Sequence, residues 1–182
     1  MDAVVVFCSQ TGSAETYARW LADELGCVAA PLGRLDGTAG PADLVVLCSW
    51  FHAASLRGAK RFRAYMAAHP EKRYAVVAVG ATPMPCETWP ASEHEEAFRH
   101  SFPADAYPDL PWAYCQGDFH LERLGAADRI MMRLYFKMLE GEARGGSERS
   151  ATALAQMRAG YDGCERAYLE PLLAELRGRG WA

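Results

Sequence analysis

The chain is short of positive charge: 19 Lys and Arg against 23 Asp and Glu give a formal net charge of −4 over 182 residues. That balance argues against a nucleic-acid partner, because no surplus of cations exists to neutralise phosphates. The six cysteines, Cys8, Cys27, Cys48, Cys86, Cys115 and Cys164, contain no Cys-x-x-Cys pair, so neither a zinc site nor a disulfide framework follows. A reducing compartment is the expectation, with Cys8 and Cys48 serving as small apolar side chains at the ends of apolar runs. No run approaches the roughly 18 apolar residues of a membrane span, and no charged segment with an apolar stretch precedes the first strand. A cytoplasmic location is therefore expected. His94, His100 and His120 lack a His-x-x-x-His spacing, no metal is expected, and His94-Glu95-Glu96 reads as a solvated helix face. Hydrolase chemistry has no support without a Gly-x-Ser-x-Gly elbow. Internal repeats and low-complexity segments are also missing.

What is present is an alternation of strands and helices. Apolar runs rich in β-branched residues recur at Ala3 to Cys8, Leu44 to Cys48, Tyr74 to Val79 and, more weakly, Trp112 to Cys115. A short strand near Cys27 to Ala30, limited by Pro31, completes a second βα unit. Helical spacing appears from Ser13 to Gly26, where Ala14, Ala18, Leu21 and Leu25 share a face, and from Leu56 to His69, where Ala59, Phe62 and Met66 do. A final helix is expected at about Glu165 to Arg177. The pattern implies an α/β fold, a three-layer doubly wound parallel sheet with helices on both faces. One domain is expected over residues 1–182, interrupted at about 118–160 by a helical insertion before the last helix. Within it a broad apolar stripe runs through Ile130, Met131, Leu134, Tyr135, Met138 and Leu139, with Arg129, Arg133 and Lys137 on a basic side. Gly141 to Gly146 is expected to break that helix, and the polar stretch through Ser150 to form a surface loop.

The first strand leads into Ser9-Gln10-Thr11-Gly12-Ser13-Ala14-Glu15-Thr16 and then into a helix. Hydroxyls and free backbone N–H groups at a helix N-terminus suit an anion. With no lysine the turn is not a Walker A loop, and it lacks the three glycines of the dinucleotide fingerprint. It reads as a neutral, hydroxyl-lined pocket for a terminal phosphate, or else as an ordinary strand-to-helix turn with good capping residues. The turn resembles the phosphate loop of flavodoxins, Thr/Ser-x-Thr-Gly-x-Thr, and is especially similar to the flavodoxin domains of diflavin reductases. Ala14 stands where many flavodoxins have a last threonine, which removes a hydroxyl donor and leaves the backbone N–H groups. Right-handed crossovers restrict such a chain to a few doubly wound orders, of which the flavodoxin order 2-1-3-4-5 is expected. The loops after strands one and three then flank the topological switch point, where ligands bind.

The loop after strand three is Ser49-Trp50-Phe51-His52-Ala53-Ala54-Ser55-Leu56-Arg57-Gly58. An isoalloxazine ring needs flat π faces and a close backbone at its N5 edge; Trp50, Phe51 or His52 suit the faces, while Ala53 and Ala54 permit the approach. Alternatively Trp50 and Phe51 cap the core at a strand end. This loop is similar to that of the flavodoxin-domain group that includes menaquinone-dependent protoporphyrinogen dehydrogenases, in which a tyrosine, a small pair and a later glycine recur. His52 occupies the tyrosine-like position, leaving His52 or Trp50 to stack on the ring. The resemblance continues through Arg99-His100-Ser101-Phe102-Pro103, Tyr114 to Gly117, Asp128 to Arg133 and Lys137-Met138-Leu139. A third loop, Gly80-Ala81-Thr82-Pro83-Met84-Pro85, either brings Thr82 to the ring's polar rim or is merely a proline-rich turn. Tyr114, Gln116 and Gly117 are weaker candidates for the pyrimidine edge.

The resemblance implies an FMN-binding redox protein that transfers electrons, with FMN expected over FAD because one phosphate loop is visible. Ser9, Gln10, Thr11, Gly12, Ser13 and Ala14 are expected at the phosphate, and Ser49, Trp50, Phe51, His52, Ala53, Ala54, Gly80, Ala81 and Thr82 around the ring. The expected partner is a redox protein or a quinone- or porphyrinogen-like small molecule. Two other readings stay open: a quinone-linked protoporphyrinogen dehydrogenase-like flavoenzyme, and a flavin-free interaction module of the same fold. The stripe from Ile130 to Leu139 is either a helix face packed in the core or an apolar platform capable of peripheral membrane contact.

Overall fold

In the computed structural model, residues 2–182 are described, and they form two compact units: residues 2–116 with 164–182, and residues 117–163. The first is built on strand β1 (Ala3–Cys8), whose Val4, Val5 and Val6 are all buried. A strand that buries consecutive side chains has both faces covered, as the centre of a parallel sheet demands. It pairs in parallel with β2 (Val28–Pro31) on one side and with β3 (Leu44–His52) on the other. Next to β3 come β5 (Arg73–Gly80) and then β6 (Trp112–Gln116), all parallel, while the two-residue β4 (Ser55–Leu56) folds back antiparallel on β3. The parallel strands thus run β2-β1-β3-β5-β6, which is the expected 2-1-3-4-5 order once β4 is set aside.

Because side chains alternate along a strand, the sheet feeds two separate cores. Val5, Val46 and Val77 face α1 (Ser13–Leu25) and α7 (Glu170–Gly178), packing with Tyr17, Leu21, Leu172, Leu173 and Leu176. Val4, Val6, Val45, Leu47 and Val76 face the other way, against Phe62 of α3 (Ala59–Ala68) and Phe98 and Phe102 of α4 (Ala91–Ser101). Each such Val, Leu or Phe, once buried, contributes about 1.5–3 kcal/mol. A short helix α2 (Leu35–Thr38) buries Leu35 in the second core. Helices on both faces of one parallel sheet make the three layers.

Several boundaries differ from those expected. Strand β3 continues past Cys48 to His52, and the helix expected from Leu56 begins only at Ala59, because Ser55–Leu56 returns as β4. The last helix is split into a 3₁₀ turn at Arg166–Leu169 and α7, which carries Pro171 in its first turn.

In the second unit, Phe119 and Tyr161 exchange backbone hydrogen bonds of 2.8 and 2.9 Å, and the Gly163 N–H donates to Asp118 Oδ1 at 2.8 Å. Helix α5 (Ala126–Arg144) runs straight through Gly141, and the chain turns only at Gly145 and Gly146. The stretch expected to be a surface loop starts helix α6 (Glu148–Ala159), capped by Ser147, whose hydroxyl oxygen accepts from the Ser150 N–H at 3.2 Å. Ser150 in turn donates to Glu142 at 2.6 Å, and Arg158 pairs with Glu140, tying α6 to α5. No described helix is long and apolar enough to cross a membrane.

Candidate functional site

The loop between β1 and α1 ends on Gly12, whose φ of 109° only glycine adopts readily. Gly12 caps α1, so no side chain supplies a capping hydrogen bond there. Its N–H donates to Ser9 Oγ at 3.2 Å, which folds the loop back on itself, and its carbonyl accepts the first helical bond from the Thr16 N–H at 2.9 Å. A Cβ built on Gly12 would meet no heavy atom of the described residues within 4 Å. A 13-residue helix that starts without a side-chain cap, with open space beside Gly12, has the partial positive charge and backbone donors suited to an anion. Gln10 is exposed and Thr11 half-buried at the rim, whereas Ser13 and Ala14 are buried at the start of the helix. Ala14 therefore offers backbone alone.

One strand further along the sheet, β3 and β4 form a hairpin with Ala53 and Ala54 as its two turn residues. Both have positive φ, 48° and 59°, as a type I′ turn requires. For alanine this backbone costs roughly 1–2 kcal/mol per residue, and strain of this kind gathers where a structure serves a ligand. Three hydrogen bonds hold the hairpin in place. Ser49 Oγ donates to the Arg57 carbonyl at 2.6 Å, the Arg57 N–H donates to the Trp50 carbonyl at 3.1 Å, and the Leu56 N–H donates to the buried Ser101 Oγ at 2.8 Å. The fully buried Ser49 hydroxyl thus braces the loop. The strand's period of two separates the aromatics: Trp50 and His52 meet edge to face at 5.3 Å, while Phe51, from the opposite face, lies at 6.4 Å and 29° to Tyr114.

The third loop follows β5 and is fastened from two sides. Tyr114 of β6 donates its hydroxyl to the Thr82 carbonyl at 2.5 Å, and the Met84 N–H donates to Gln116 Oε1 at 3.3 Å. From α4, His94 Nε2 lies 3.0 Å from the Pro83 carbonyl, and its ring sits 4.0 Å from that of Tyr114. Gly80 has to be glycine, since a Cβ there would come within 2.8 Å of the Tyr114 hydroxyl. The expectation of a solvated His94 is corrected: it is 4% exposed and fixes the loop. No local pattern marks it, because its neighbours come from β6 and from the loop after β5. Tyr114 and Gln116, considered for a ring edge, both hold this loop, and Tyr114 also lines the pocket beside it.

Between hairpin, third loop and α4 lies a pocket of about 250 Å³ lined by Phe51, Ala54, Gly80, Ala81, Thr82, Glu93, His94, Ala97 and Tyr114. Five expected site residues meet there: Phe51, Ala54, Gly80, Ala81 and Thr82. Glu93, His94 and Ala97 join them unannounced by the sequence. Ser9 to Ala14, Ser49, Trp50, His52 and Ala53 are not part of its lining. The pocket is smaller than the 300–1,000 Å³ typical of clefts for whole ligands, so it has room for only part of one. Neighbouring strands lie about 4.8 Å apart, which places the loops after β1 and β5 roughly 10 Å from each other, with the hairpin between them.

Other reactive groups sit in the core that the sheet shares with α1 and α7. Cys48 and Cys115 are buried, and desolvation, with a further push from neighbouring thiols, raises both well above the usual thiol range. They are neutral fillers of the core. Tyr17 is also pushed up, chiefly by burial; it donates to the Gln116 carbonyl at 2.5 Å and accepts from the Glu165 N–H at 3.1 Å. None of the six cysteines is in a disulfide, and no group of three or more metal-ligating side chains is found among the described residues.

Comparison with solved structures finds weak overall likeness. The chain is similar to a flavodoxin, WrbA-like protein from Agrobacterium tumefaciens, at 13% identity over 83% of this chain and 96% of that one, with a TM-score of 0.48. It is similar to a flavodoxin from the domain Archaea at 14% identity (63% and 78% covered, TM-score 0.40). A short-chain flavodoxin associated with a non-canonical PDU bacterial microcompartment gives 16% identity (64% and 82% covered, TM-score 0.41). No curated protein matches the sequence significantly. The family model of the flavodoxin domain, by contrast, matches residues 4–144, a span that takes in all three loops and most of the sheet. With its parallel order centred on β1 and β3, the chain belongs to the flavodoxin-domain family.

Proposed function

We propose that this protein binds FMN noncovalently and transfers electrons as a flavodoxin-like redox protein of the cytoplasm, built as one domain with residues 118–160 inserted. The single observation that carries the reading is the start of α1, glycine-capped and facing open space, at the switch point beside the β3–β4 hairpin. In this reading Ser9, Gln10, Thr11, Gly12, Ser13 and Ala14 surround the phosphate, chiefly with backbone N–H groups. Gly12 keeps the space clear, and the helix dipole favours the dianion. One phosphate loop favours FMN over FAD, and the 10 Å between loops is a span that a short polyol chain bridges. Phe51, Ala54, Gly80, Ala81 and Thr82 enclose part of the ring, while Ser49, Trp50, His52 and Ala53 shape the hairpin at its edge.

When bound, the flavin supplies the redox chemistry. The protein's part is placement and electrostatics. The pocket lining holds no lysine or arginine and does hold Glu93, so it opposes added negative charge and lowers the potential. The braced third loop, held by Tyr114 and His94, keeps the backbone at Thr82 from moving when charge changes. Six cysteines outside any disulfide suit a reducing compartment.

The test is direct. Purified protein is expected to absorb near 450 nm, an approximate position set by the cofactor's own chemistry, and to release one FMN per chain on heating, identified by chromatography. Colourless protein that takes up no FMN contradicts the proposal and leaves the flavin-free module. The second reading, a quinone-linked protoporphyrinogen dehydrogenase-like enzyme, is favoured by the exposed apolar residues of α5, which suit an apolar acceptor. Protoporphyrinogen with a menaquinone analogue separates the two: sustained turnover above a free-flavin control overturns the carrier assignment, and its absence counts against the second reading.

A further inference from the structure

Helix α5 has two apolar faces. Its inner face buries Phe136 and Leu139. On the outer face Ile130, Leu134 and Met138 follow one another at i, i+4, i+8, with Met131 and Tyr135 beside them. The five are 60, 61, 50, 54 and 38% exposed in that order. At 3.6 residues per turn they cover an arc of about 140°, wider than the stripe of an ordinary surface helix. Singly exposed apolar residues need no account, but five contiguous ones on one helix face do.

The borders of this face differ in charge. Exposed Arg133 and Lys137 lie one turn apart along the edge next to Ile130 and Leu134, joined by Arg144, while Asp128 and Glu142 lie along the other edge. Glu142 keeps its charge while accepting from the Ser150 hydroxyl, Arg144 pairs with Glu140 at 3.6 Å, and Arg133 and Lys137 stand exposed on the edge next to Ile130 and Leu134. An apolar face bordered by cations on a helix that does not span is the pattern of a segment lying in a membrane interface. The long side chains of Arg133 and Lys137 let their heads reach phosphate groups while the apolar residues enter the acyl boundary.

We propose that the outer face of α5 seats on the surface of an anionic phospholipid bilayer, with Ile130, Leu134 and Met138 inserted and Arg133 and Lys137 on lipid phosphates. A net charge of −4 gives the chain no general attraction to such a surface, so binding depends on this local arrangement. The proposal stands apart from the cofactor.

The experiment is sedimentation of the full chain with vesicles of phosphatidylcholine alone and with vesicles enriched in phosphatidylglycerol. Binding is expected on the second kind and is expected to weaken as salt is raised. Ile130→Asp with Leu134→Asp is expected to lower partitioning at least about tenfold. Arg133→Gln with Lys137→Gln is expected to lower it roughly twentyfold at low salt. These positions are exposed, and circular dichroism of each variant checks that it folds. The proposal is overturned if wild type stays in solution at low salt, or if either double variant binds as wild type does. It is also overturned if a concentration-dependent dimer, abolished by the aspartate variant, replaces vesicle binding, since the face then belongs to a second copy.

Discussion

Two helices of the sheet-bearing unit start in the same way and for different reasons. Both α1 and α3 are capped by a glycine in left-handed backbone, Gly12 and Gly58, and neither cap makes a side-chain hydrogen bond. A Cβ on Gly58 would lie 2.3 Å from Leu32 Cδ2, whereas one on Gly12 would meet nothing within 4 Å among the described residues. At Gly58 the missing side chain lets two parts of the protein close together; at Gly12 it leaves room. A third start, that of α6, is closed by the Ser147 hydroxyl. Of these three starts, that of α1 is the one with room beside its cap.

The largest effect expected from breaking this contrast is on stability. Gly58→Ala combines the collision with a φ of 76°, and a loss of about 2–4 kcal/mol is expected in urea unfolding. A wild-type midpoint would show that Leu32 yields freely. Gly12→Ala carries backbone strain without a collision, so about 1–2 kcal/mol is expected, together with weakened FMN binding that Gly58→Ala does not reproduce at matched stability. Equal effects of the two substitutions on FMN would erase the distinction. Smaller again, Thr11→Ala with Ser13→Ala is expected to weaken FMN binding by about 0.5–1.5 kcal/mol per lost hydrogen bond. Unchanged affinity in the double variant would move the phosphate elsewhere.

The smallest effect lies outside both loops and sharpens the contrast by what it leaves alone. The Asp162 carboxylate is held below its ordinary range, first by its hydrogen bond with His120 at 2.7 Å. A lowered value means that the unfolded chain takes up this proton first. The carboxylate's contribution is thus present above the ordinary range and fades as pH falls through the lowered value. Thermal melting between about pH 5 and pH 3 is expected to show a shallower acid loss in Asp162→Asn than in wild type, with FMN affinity unchanged at neutral pH. Identical acid profiles would remove this bond from the account.

The strands were legible in the chain because each central one is an apolar run ended by polar or turn residues, while their order followed from the resemblance of the first loop to that of flavodoxins. Other features depend on neighbours distant in sequence. The extension of β3 to His52 requires a turn at Ala53 and Ala54, and alanine carries no signal for positive φ. His94 reads as polar next to two glutamates and is buried by Tyr114 and the Pro83 carbonyl. Helix α6 was hidden by its small, polar composition and the preceding Gly145-Gly146, although Ser147 is an ordinary cap. At the candidate site, the open cap could be suspected from Thr11-Gly12 alone. The division of Trp50 and Phe51 between faces needed the strand's true end.

The measurement that bears most directly on the central claim is a paired titration of cofactor-free protein with FMN and with riboflavin, which lacks the phosphate, followed by flavin fluorescence. If the start of α1 holds a phosphate through charge-assisted hydrogen bonds, FMN is expected to bind at least about a hundredfold more tightly. Equal affinities, or no binding of either, would contradict the assignment of Ser9 to Ala14 as a phosphate site.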